Sequence, residues 1–536
     1  MGKRTLVFMI LILTLLLSQS IQAADIPQPV QNGKDVVIEM PKYTAVFSSR
    51  GGTLKSFRLN DYRSECATCA EDLWEKLKNM FSGQKIEAAR NGGSIELVNV
   101  REDSPSPLSV TLHGTDGVTR NDGLYEFSLS ARDQQGQQRL IFSRNDGNLK
   151  IDKIFSFFSD GYKITLDVKV FNLSSRPVTQ NPVLNWYQHV DASKKGKDFG
   201  HDGPVAALGT GAVERTESKD IKGDTLLGPH IRWAAYESKY FIASFIPENP
   251  SLASVTLTRD SDNTVGIGLK GQKTVIPGGQ SETFSYSMYL GPKKYSLLQT
   301  MGVGLESVVN FGWFRFLSVP LLMLLNFFYG FIGNYGIAII LMTILVKAVF
   351  LPMGAMSSQS MKAMRDLKPQ LDVLKEKYKG NRGKIGEETM KLYREKKVNP
   401  FSGVLPIMIQ VPVFIGLYRA LMYAVELRQA PFFGWIQDLS ARDPYYIVPV
   451  LMGISQFVVQ KITPSAANEE TRKVLLWLPV LFTVLFAILP SGLVIYWLIN
   501  NVLQICQQLY LNKKLGLNDM AVPEKQSAAQ LATETK

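Results

Sequence analysis

A lysine lies inside an apolar segment of this chain, where charged side chains are rare. The segment Ile337–Pro352 reads IAIILMTILVKAVFLP, and Thr343 precedes Lys347 by one helical turn on the same face. A cation inside a membrane-spanning helix costs about 2.5–3.5 kcal/mol, so it requires a polar partner, a water-filled cavity or a substrate path. The alternative is that Lys347, about 8 Å from the end of the segment, extends its ammonium to the membrane surface.

Further polar side chains lie in other apolar segments, including Gln410 and Tyr496. Four residues of the last segment share one helix face because they follow the spacing i, i+4, i+7, i+11: Trp497, Asn501, Gln504 and Gln508. If these faces meet that of Lys347, they form a hydrated cavity in the inner half of the membrane. The alternative is that the amides only join helices by hydrogen bonds, worth about 0.6 kcal/mol each.

The sequence contains no pattern typical of an enzyme or of a cofactor site. A P-loop and a G-x-S-x-G motif are absent from the 536 residues, and no G-x-G-x-x-G string leads into a predicted helix as in a dinucleotide-binding fingerprint. The four histidines have no metal-binding spacing: His113, His189, His201 and His230. We therefore predict that the chain is not an enzyme, needs no cofactor and is not driven by ATP.

The N-terminus directs the following residues out of the cytoplasm. Lys3 and Arg4 precede an apolar run at 6–17, which is typical of a secretory signal or an uncleaved anchor. We assign 1–24 as a signal anchor, although small residues near Ala23 would also suit cleavage.

In the exported region, Cys66 and Cys69 form a C-x-x-C pair, for which a local disulfide is predicted and a redox or metal role is the alternative.

Two halves of different character follow the N-terminus. The mean hydropathy is +0.00 because a polar region up to about Gly291 offsets a very apolar region after it. In the polar half, Tyr162–Val170 alternates strictly between apolar and polar residues, which predicts a half-buried strand. Similar runs predict an antiparallel β sandwich: Asp35–Met40, Tyr43–Ser48, Ser94–Val100, Leu124–Ala131, Leu149–Phe158, Ser254–Arg259 and Thr283–Leu290. One short helix is predicted near Glu71–Phe81.

The apolar half predicts an α-helical membrane domain with five spans. They are Ile337–Pro352, Val404–Val425, Tyr445–Gln460, Val474–Leu489 and Leu493–Leu511. The segment before them contains Pro320 and many aromatic residues, so we predict a helix lying in the membrane interface rather than a further span. The predicted order is an anchor at 1–24, a linker at 25–34, a β domain at 35–300, an interface helix at 301–330, a span at 331–355, a helical hairpin at 356–400, four spans at 401–511 and a tail at 512–536.

The loop Met356–Asn399 holds much of the positive charge of a chain whose net charge is +12. By the positive-inside rule this loop is cytoplasmic, which places the β domain outside and the C-terminus inside. Apolar residues at helical spacing predict a hairpin: Met361, Met364, Leu367 and Leu371. Because methionine adapts to varied apolar partners, we expect a docking surface here. The alternative is a solvated face whose charges only set the topology.

Several motifs of the apolar half resemble the YidC family of bacterial inner-membrane protein insertases. They are the Thr343…Lys347 span, Gly333-Asn334-Tyr335-Gly336, Val398-Asn399-Pro400, Leu405-Pro406, Gln410-Val411-Pro412, Glu426-Leu427-Arg428-Gln429-Ala430-Pro431, Asp443-Pro444-Tyr445-Tyr446 and Leu489-Pro490-Ser491-Gly492-Leu493 with Tyr496. The resemblance is close over about Phe311–Leu511. It is looser in the β domain, where it rests on Ser49-Arg50-Gly51-Gly52 and the strand layout.

The resemblance implies a protein that inserts and folds membrane proteins in the bacterial inner membrane, alone or beside the Sec translocon. It implies a hydrophilic groove whose positive residue, often arginine in the family, is Lys347 here. Thr343 and Trp497 match substrate-contact positions, and 356–399 matches a cytoplasmic hairpin needed for activity. The β domain resembles a sugar-mutarotase sandwich in the periplasm. The implied partners are nascent membrane proteins, the Sec translocon, the lipid bilayer and the ribosome; no specific nucleic-acid binding is expected.

Two rival functions remain open at this stage. A secondary transporter would contain inverted repeats and broken helices near the membrane midplane, and no repeat is visible between the halves. A membrane-tethered carbohydrate enzyme would place a catalytic pair in the β domain, and no such pair is evident. Both rivals are therefore disfavoured relative to an insertase.

Overall fold

A computed structural model describes most of the chain, and several predicted features fall outside the described part. The described residues are 33–64, 92–101, 104–114, 117–120, 122–191, 200–399, 405–463 and 469–514. The N-terminal anchor, nearly all of the linker, Cys66, Cys69, the helix near Glu71–Phe81 and all but the first residues of the C-terminal tail lie outside these ranges. The predictions made for them stay predictions.

The first half of the described chain is an antiparallel β domain, as the alternating sequence pattern predicts. In chain order, its strands β1–β20 are Asp35–Glu39, Tyr43–Ser48, Thr53–Arg63, Ser94–Glu96, Ser109–Gly114, Gly117–Arg120, Glu126–Leu129, Gln138–Asp146, Leu149–Phe157, Lys163–Asn172, Val178–His189, Gly203–Leu208, Val213–Arg215, Thr225–Leu227, Ile231–Glu237, Phe241–Pro247, Ser254–Arg259, Thr264–Lys270, Thr274–Ile276 and Ser281–Pro292.

These strands form a four-stranded, a nine-stranded and a seven-stranded sheet. The nine-stranded sheet has the order β13-β12-β15-β16-β20-β10-β9-β8-β7, and the seven-stranded sheet has the order β14-β17-β18-β11-β5-β6 with β19 beside β11. The strand predicted at Tyr162–Val170 is β10, whose residues alternate between buried and partly exposed. Its Val168 lies opposite Phe284 of β20 and Lys153 of β9, so strands far apart in sequence close the core.

Lys153 is an exception to the apolar core of this domain. Its side chain is fully buried, and its ammonium donates a hydrogen bond to the Gly51 carbonyl at 2.6 Å and lies 5.3 Å from the centre of the Tyr125 ring. Gly51 has φ +71°, a left-handed conformation that suits glycine, which explains one glycine of the Ser49-Arg50-Gly51-Gly52 motif. Burial lowers the pKa of Lys153 to about 7, since the apolar surroundings disfavour its charged form.

Stability of the β domain will therefore depend on pH through Lys153. Between pH 7 and the ordinary lysine pKa of 10.5, the unfolded chain binds more protons at this residue than the folded chain does. The free energy of unfolding must then rise with pH over this window, by at most about 1.4 kcal/mol per pH unit. Urea unfolding of the full chain, followed by pulse proteolysis at pH 7 and pH 9.5, will show this rise.

Lys153→Met is the informative variant for this prediction, because it keeps an unbranched side chain and removes the ionisable group. We expect its stability to rise less between the two pH values than that of the wild-type chain, and the rise that remains includes Lys293, whose pKa burial also lowers. An equal rise in Lys153→Met would assign the pH dependence to other groups.

The second half of the described chain is helical. In chain order, helices α1–α9 are Tyr295–Gln299, Arg315–Ile332, Tyr335–Asp366, Lys368–Lys377, Arg382–Glu395, Leu405–Tyr423, Ile447–Ile462, Glu469–Ala487 and Ser491–Lys514. Short 3-10 helices lie at Ser218–Asp220, Pro250–Leu252, Leu305–Val308, Gly312–Phe314 and Val425–Leu427. Helix α9 packs against α3, α6 and α7, while α2 packs against α3 and α6.

The observed helices correct two predicted boundaries. The interface helix predicted at 301–330 begins only at Arg315 and continues to Ile332, because 3-10 turns occupy the residues before it. Helix α3 passes through Pro352 without ending and continues to Asp366, so the first part of the predicted hairpin belongs to the helix that bears Lys347. A proline inside a helix removes one backbone donor and can kink the helix without ending it.

Two helices within the described residues are long and apolar enough to cross a membrane: 312–332 and 335–366. Two shorter apolar helices, at 447–462 and 477–487, accompany them. Helix α9 has 24 residues, but its amides and terminal lysines make it more polar than these helices. The number of spans and the interfacial placement of α2 therefore stay predictions.

Short polar contacts fix the ends of the helices that carry the candidate site. Asn334 caps α3, since its side chain accepts a hydrogen bond from the Ile337 amide at 3.1 Å and donates one to the Phe432 carbonyl at 3.2 Å. Asp443 is buried before α7 and accepts hydrogen bonds from the Val448 amide at 2.7 Å and the Trp435 indole at 3.0 Å. These contacts explain the asparagine and aspartate of two of the motifs.

Candidate functional site

The Lys347 ammonium is partly buried and donates a hydrogen bond to Oε1 of Gln504 on α9. In the part of the chain that the structure describes, Lys347 takes part in no ion pair. A neutral amide oxygen lowers the free energy of a cation in apolar surroundings but leaves its charge uncancelled. The site thus holds a positive charge that can attract an anion.

Three further contacts set the register between α3 and α9 around this pair. Gln507 donates a hydrogen bond to the Leu351 carbonyl at 3.4 Å, and Ser358 donates one to Gln508 at 3.4 Å. The end of the Gln507 side chain also lies against Gly354 of α3. The amide of Gln504 is therefore held beside Lys347 by contacts along the helix on its C-terminal side.

The first two members of the polar stripe on α9 contact a different helix. Trp497 donates a hydrogen bond to Gln456 at 3.2 Å, and Asn501 donates one to Ser455 at 3.0 Å, both on α7. Asn501 is buried and also donates to the Met452 carbonyl at 3.4 Å. The expected single cavity is thus corrected in part: Trp497 and Asn501 contact α7, whereas Gln504 and Gln508 contact α3.

The remaining predicted groove residues form two separate contacts. Gln410 of α6 donates a hydrogen bond to the Tyr496 hydroxyl at 3.4 Å, which joins α6 to α9. Thr343 is buried, and its hydroxyl donates to the Ile339 carbonyl of its own helix at 2.6 Å. The hydroxyl of Thr343 is therefore already engaged, although this residue lies on the same face as Lys347.

The structure also places aromatic side chains around Trp497. Its ring lies 4.7 Å from that of Phe414 and 5.2 Å from that of Phe486, so α6, α8 and α9 meet at this position. Gln456, Ser455 and the two phenylalanines were not among the residues predicted from the sequence. Gln456 and Ser455 could have been predicted as site residues, since each is a polar residue inside a predicted span.

The hairpin region at 356–399 differs from the expected docking surface. Met364 and Leu367 are buried, whereas Met361 and Leu371 are partly exposed. Met364 and Leu367 therefore stabilise the hairpin by packing, and they present no free apolar face. Among the apolar side chains of this region that the structure describes, Met356, Val373 and Met390 are instead exposed.

Glu426 occupies the 3-10 turn after α6, where the helical domain meets the β domain. It interacts with Asn326 and with Lys294, and burial raises the pKa of its carboxyl above the ordinary value. The next residues contact β strands directly, since the Arg428 guanidinium lies 5.6 Å from the Phe241 ring and Gln429 donates to the Arg63 carbonyl at 3.1 Å. This loop therefore fixes the position of the β domain relative to the helices.

The described residues contain no cluster of histidine, cysteine, aspartate or glutamate able to hold a metal ion. A cavity of about 530 Å³ in the β domain is lined by Leu208, Thr210, Glu214, Leu227, Pro229 and His230. It lies in a different domain from Lys347 and Gln504. The polar chemistry of the helical domain is thus separate from this cavity.

Comparison with known proteins decides the family. The model of the 60Kd inner membrane protein family matches residues 327–518, and the model of the YidC periplasmic domain matches residues 86–324. A membrane protein insertase YidC from Syntrophus aciditrophicus is 44% identical over 486 residues, which cover 90% of this chain and 85% of that protein. This chain belongs to the YidC family.

Other YidC proteins are similarly related. The membrane protein insertase YidC of Geotalea daltonii is 37% identical and covers 92% of this chain and 90% of its own length. A crystal structure of an active YidC insertase, with the first transmembrane domain resolved, covers 90% of this chain and 93% of that chain at 21% identity and a TM-score of 0.37. The predicted family and fold class, a β domain followed by a helical membrane domain, are confirmed.

Proposed function

We propose that this chain inserts membrane proteins by means of the charge on Lys347. The supporting observation is that the Lys347 ammonium is partly buried and has an uncharged partner, Gln504. An acidic residue in the exported part of a substrate would gain a charge-assisted hydrogen bond at this site, about twice as strong as a neutral one. The proposed ligand is therefore a polar, acidic segment of a nascent membrane protein.

The helices around this pair provide polar groups that lower the free energy of a hydrophilic segment within the membrane. These groups are Gln410, Tyr496, Gln456 and Trp497, which form side-chain hydrogen bonds between α6, α7 and α9. Transfer of the substrate's own apolar segment into lipid supplies about 0.8 kcal/mol per buried CH₂, so no nucleotide is needed. We propose that Thr343, Asn501 and the rings near Trp497 shape the path of that segment.

The proposed location is the bacterial inner membrane, with the β domain in the periplasm and both the hairpin and the C-terminus in the cytoplasm. The basic residues of the hairpin support this orientation. Nascent membrane proteins are the proposed substrates. The Sec translocon and the ribosome are proposed partners.

Depletion of the host insertase, followed by expression of this chain, tests the proposed function. A small single-span substrate with an acidic exported tail should become accessible to external protease only when this chain is present. Failure of the folded, membrane-located chain to restore insertion would contradict the proposal. Ion-coupled uptake of a solute by the purified protein in vesicles would favour the secondary transporter instead.

A further inference from the structure

We infer that Gln504 is an internal ligand of Lys347 which the acidic segment of the substrate replaces. The inference rests on the proposed function and concerns the resting state of the same site. Lys347 is on α3 and Gln504 is on α9, so their hydrogen bond crosses between two helices. When a carboxylate takes the place of the amide, the ammonium exchanges a neutral acceptor for a charged one.

The Gln504 side chain is uncharged, so it can stabilise the Lys347 ammonium without cancelling the positive charge. An ammonium without any acceptor would be strongly destabilised in apolar surroundings. A carboxylate in place of Gln504 would stabilise the ammonium but would also cancel its charge, and a substrate acid would then gain little. An amide oxygen stabilises the resting ammonium and leaves the full positive charge for the substrate.

The neighbouring contacts hold Gln504 in this position. Gln507 contacts the Leu351 carbonyl, which is one turn beyond Lys347 on α3, and Gln508 contacts Ser358 two turns further along. The helices therefore keep their register when the Lys347–Gln504 hydrogen bond opens. Exchange of acceptors at Lys347 needs only a rotation of side chains and no separation of α3 from α9.

Gln504→Glu is the decisive variant, tested in the full chain reconstituted into vesicles. Two substrates that differ only in an acidic or an amide-containing exported tail are compared for protease protection. We expect insertion of the acidic tail to fall about tenfold, since one charge-assisted interaction is lost, and insertion of the neutral tail to change little. Unchanged insertion of the acidic tail by Gln504→Glu would overturn the inference.

Gln359→Glu is the matched control, because it makes the same change of amide to carboxylate at an exposed position of α3, about three turns beyond Lys347. We expect it to insert both substrates nearly as well as the wild-type chain. An equal and selective loss of acidic-tail insertion in this control would show a general charge effect and would also overturn the inference.

The exchanged pair, Lys347→Gln with Gln504→Lys, keeps the inference testable if Gln504→Glu fails to fold. It retains one ammonium and one amide at the same contact, so acidic-tail insertion should return to within about threefold of wild type. A folded exchanged pair that does not insert this substrate would contradict the inference. Failure of the wild-type chain, by contrast, would reject the proposed function itself.

Discussion

Replacement of Lys347 by leucine will reduce insertion of a substrate with an acidic exported tail by about thirtyfold or more. The ammonium is partly buried on α3 and is stabilised by the neutral oxygen of Gln504. Loss of one partner of a close, desolvated charge pair typically costs about 2–5 kcal/mol, and 1.4 kcal/mol corresponds to a tenfold change. Protease protection of the substrate, measured with purified chain in vesicles, will give the ratio.

Lys347→Arg should retain most of this insertion, because the guanidinium keeps the charge and adds a planar set of donors. Arg419→Leu is a matched control, since Arg419 is a second cation within an apolar helix, α6, and we expect less than a threefold change. If Lys347→Leu expresses stably and inserts the acidic tail as well as the wild-type chain, Lys347 only extends its ammonium to the membrane surface.

Replacement of Glu237 by leucine will give the largest loss of stability expected in the β domain. The Glu237 side chain is 1% exposed and accepts hydrogen bonds from Arg215 at 2.8 Å and from Lys293 at 2.6 Å. Arg215 also donates to the Val308 carbonyl at 2.8 Å, so this cluster joins β13 and β15 to the segment that leads into α2. Leucine would leave two cations without their common carboxylate.

Loss of one partner from a buried ion pair destabilises a protein by about 3–5 kcal/mol. Burial already lowers the pKa of Lys293, and its interaction with Glu237 opposes that effect. Without Glu237, the ammonium of Lys293 must either lose its proton or remain charged in apolar surroundings. Urea unfolding of the full chain, followed by pulse proteolysis of the β domain, measures the change in free energy.

A surface pair provides the control for this prediction. Lys55 and Asp35 are 2.7 Å apart, but their side chains are 61% and 42% exposed. Solvent screens such a pair, so Asp35→Ala should change the free energy of unfolding by about 1 kcal/mol or less. If Glu237→Leu is no more destabilising than Asp35→Ala, the cluster contributes little to the stability of the domain.

The local pattern of the sequence determined the elements of this protein. The alternation in Tyr162–Val170 predicted β10, because side chains of a strand point to opposite faces in turn. The length and apolarity of Ile337–Pro352 predicted the helix of Lys347, and the family motifs predicted an insertase. These features depend on neighbouring residues alone, so they can be read from a single sequence.

The tertiary structure decided which partner each polar side chain has. Helical spacing placed Trp497, Asn501 and Gln504 on one face but did not show that the first two contact α7 and the third contacts α3. The burial of Lys153 could not be predicted from the sequence either, since it depends on the pairing of β9 with β8 and β10 and on the position of Gly51. The spacing of residues along a helix or strand determines the face on which a side chain lies. The residue that it contacts there depends on how elements distant in the sequence pack together.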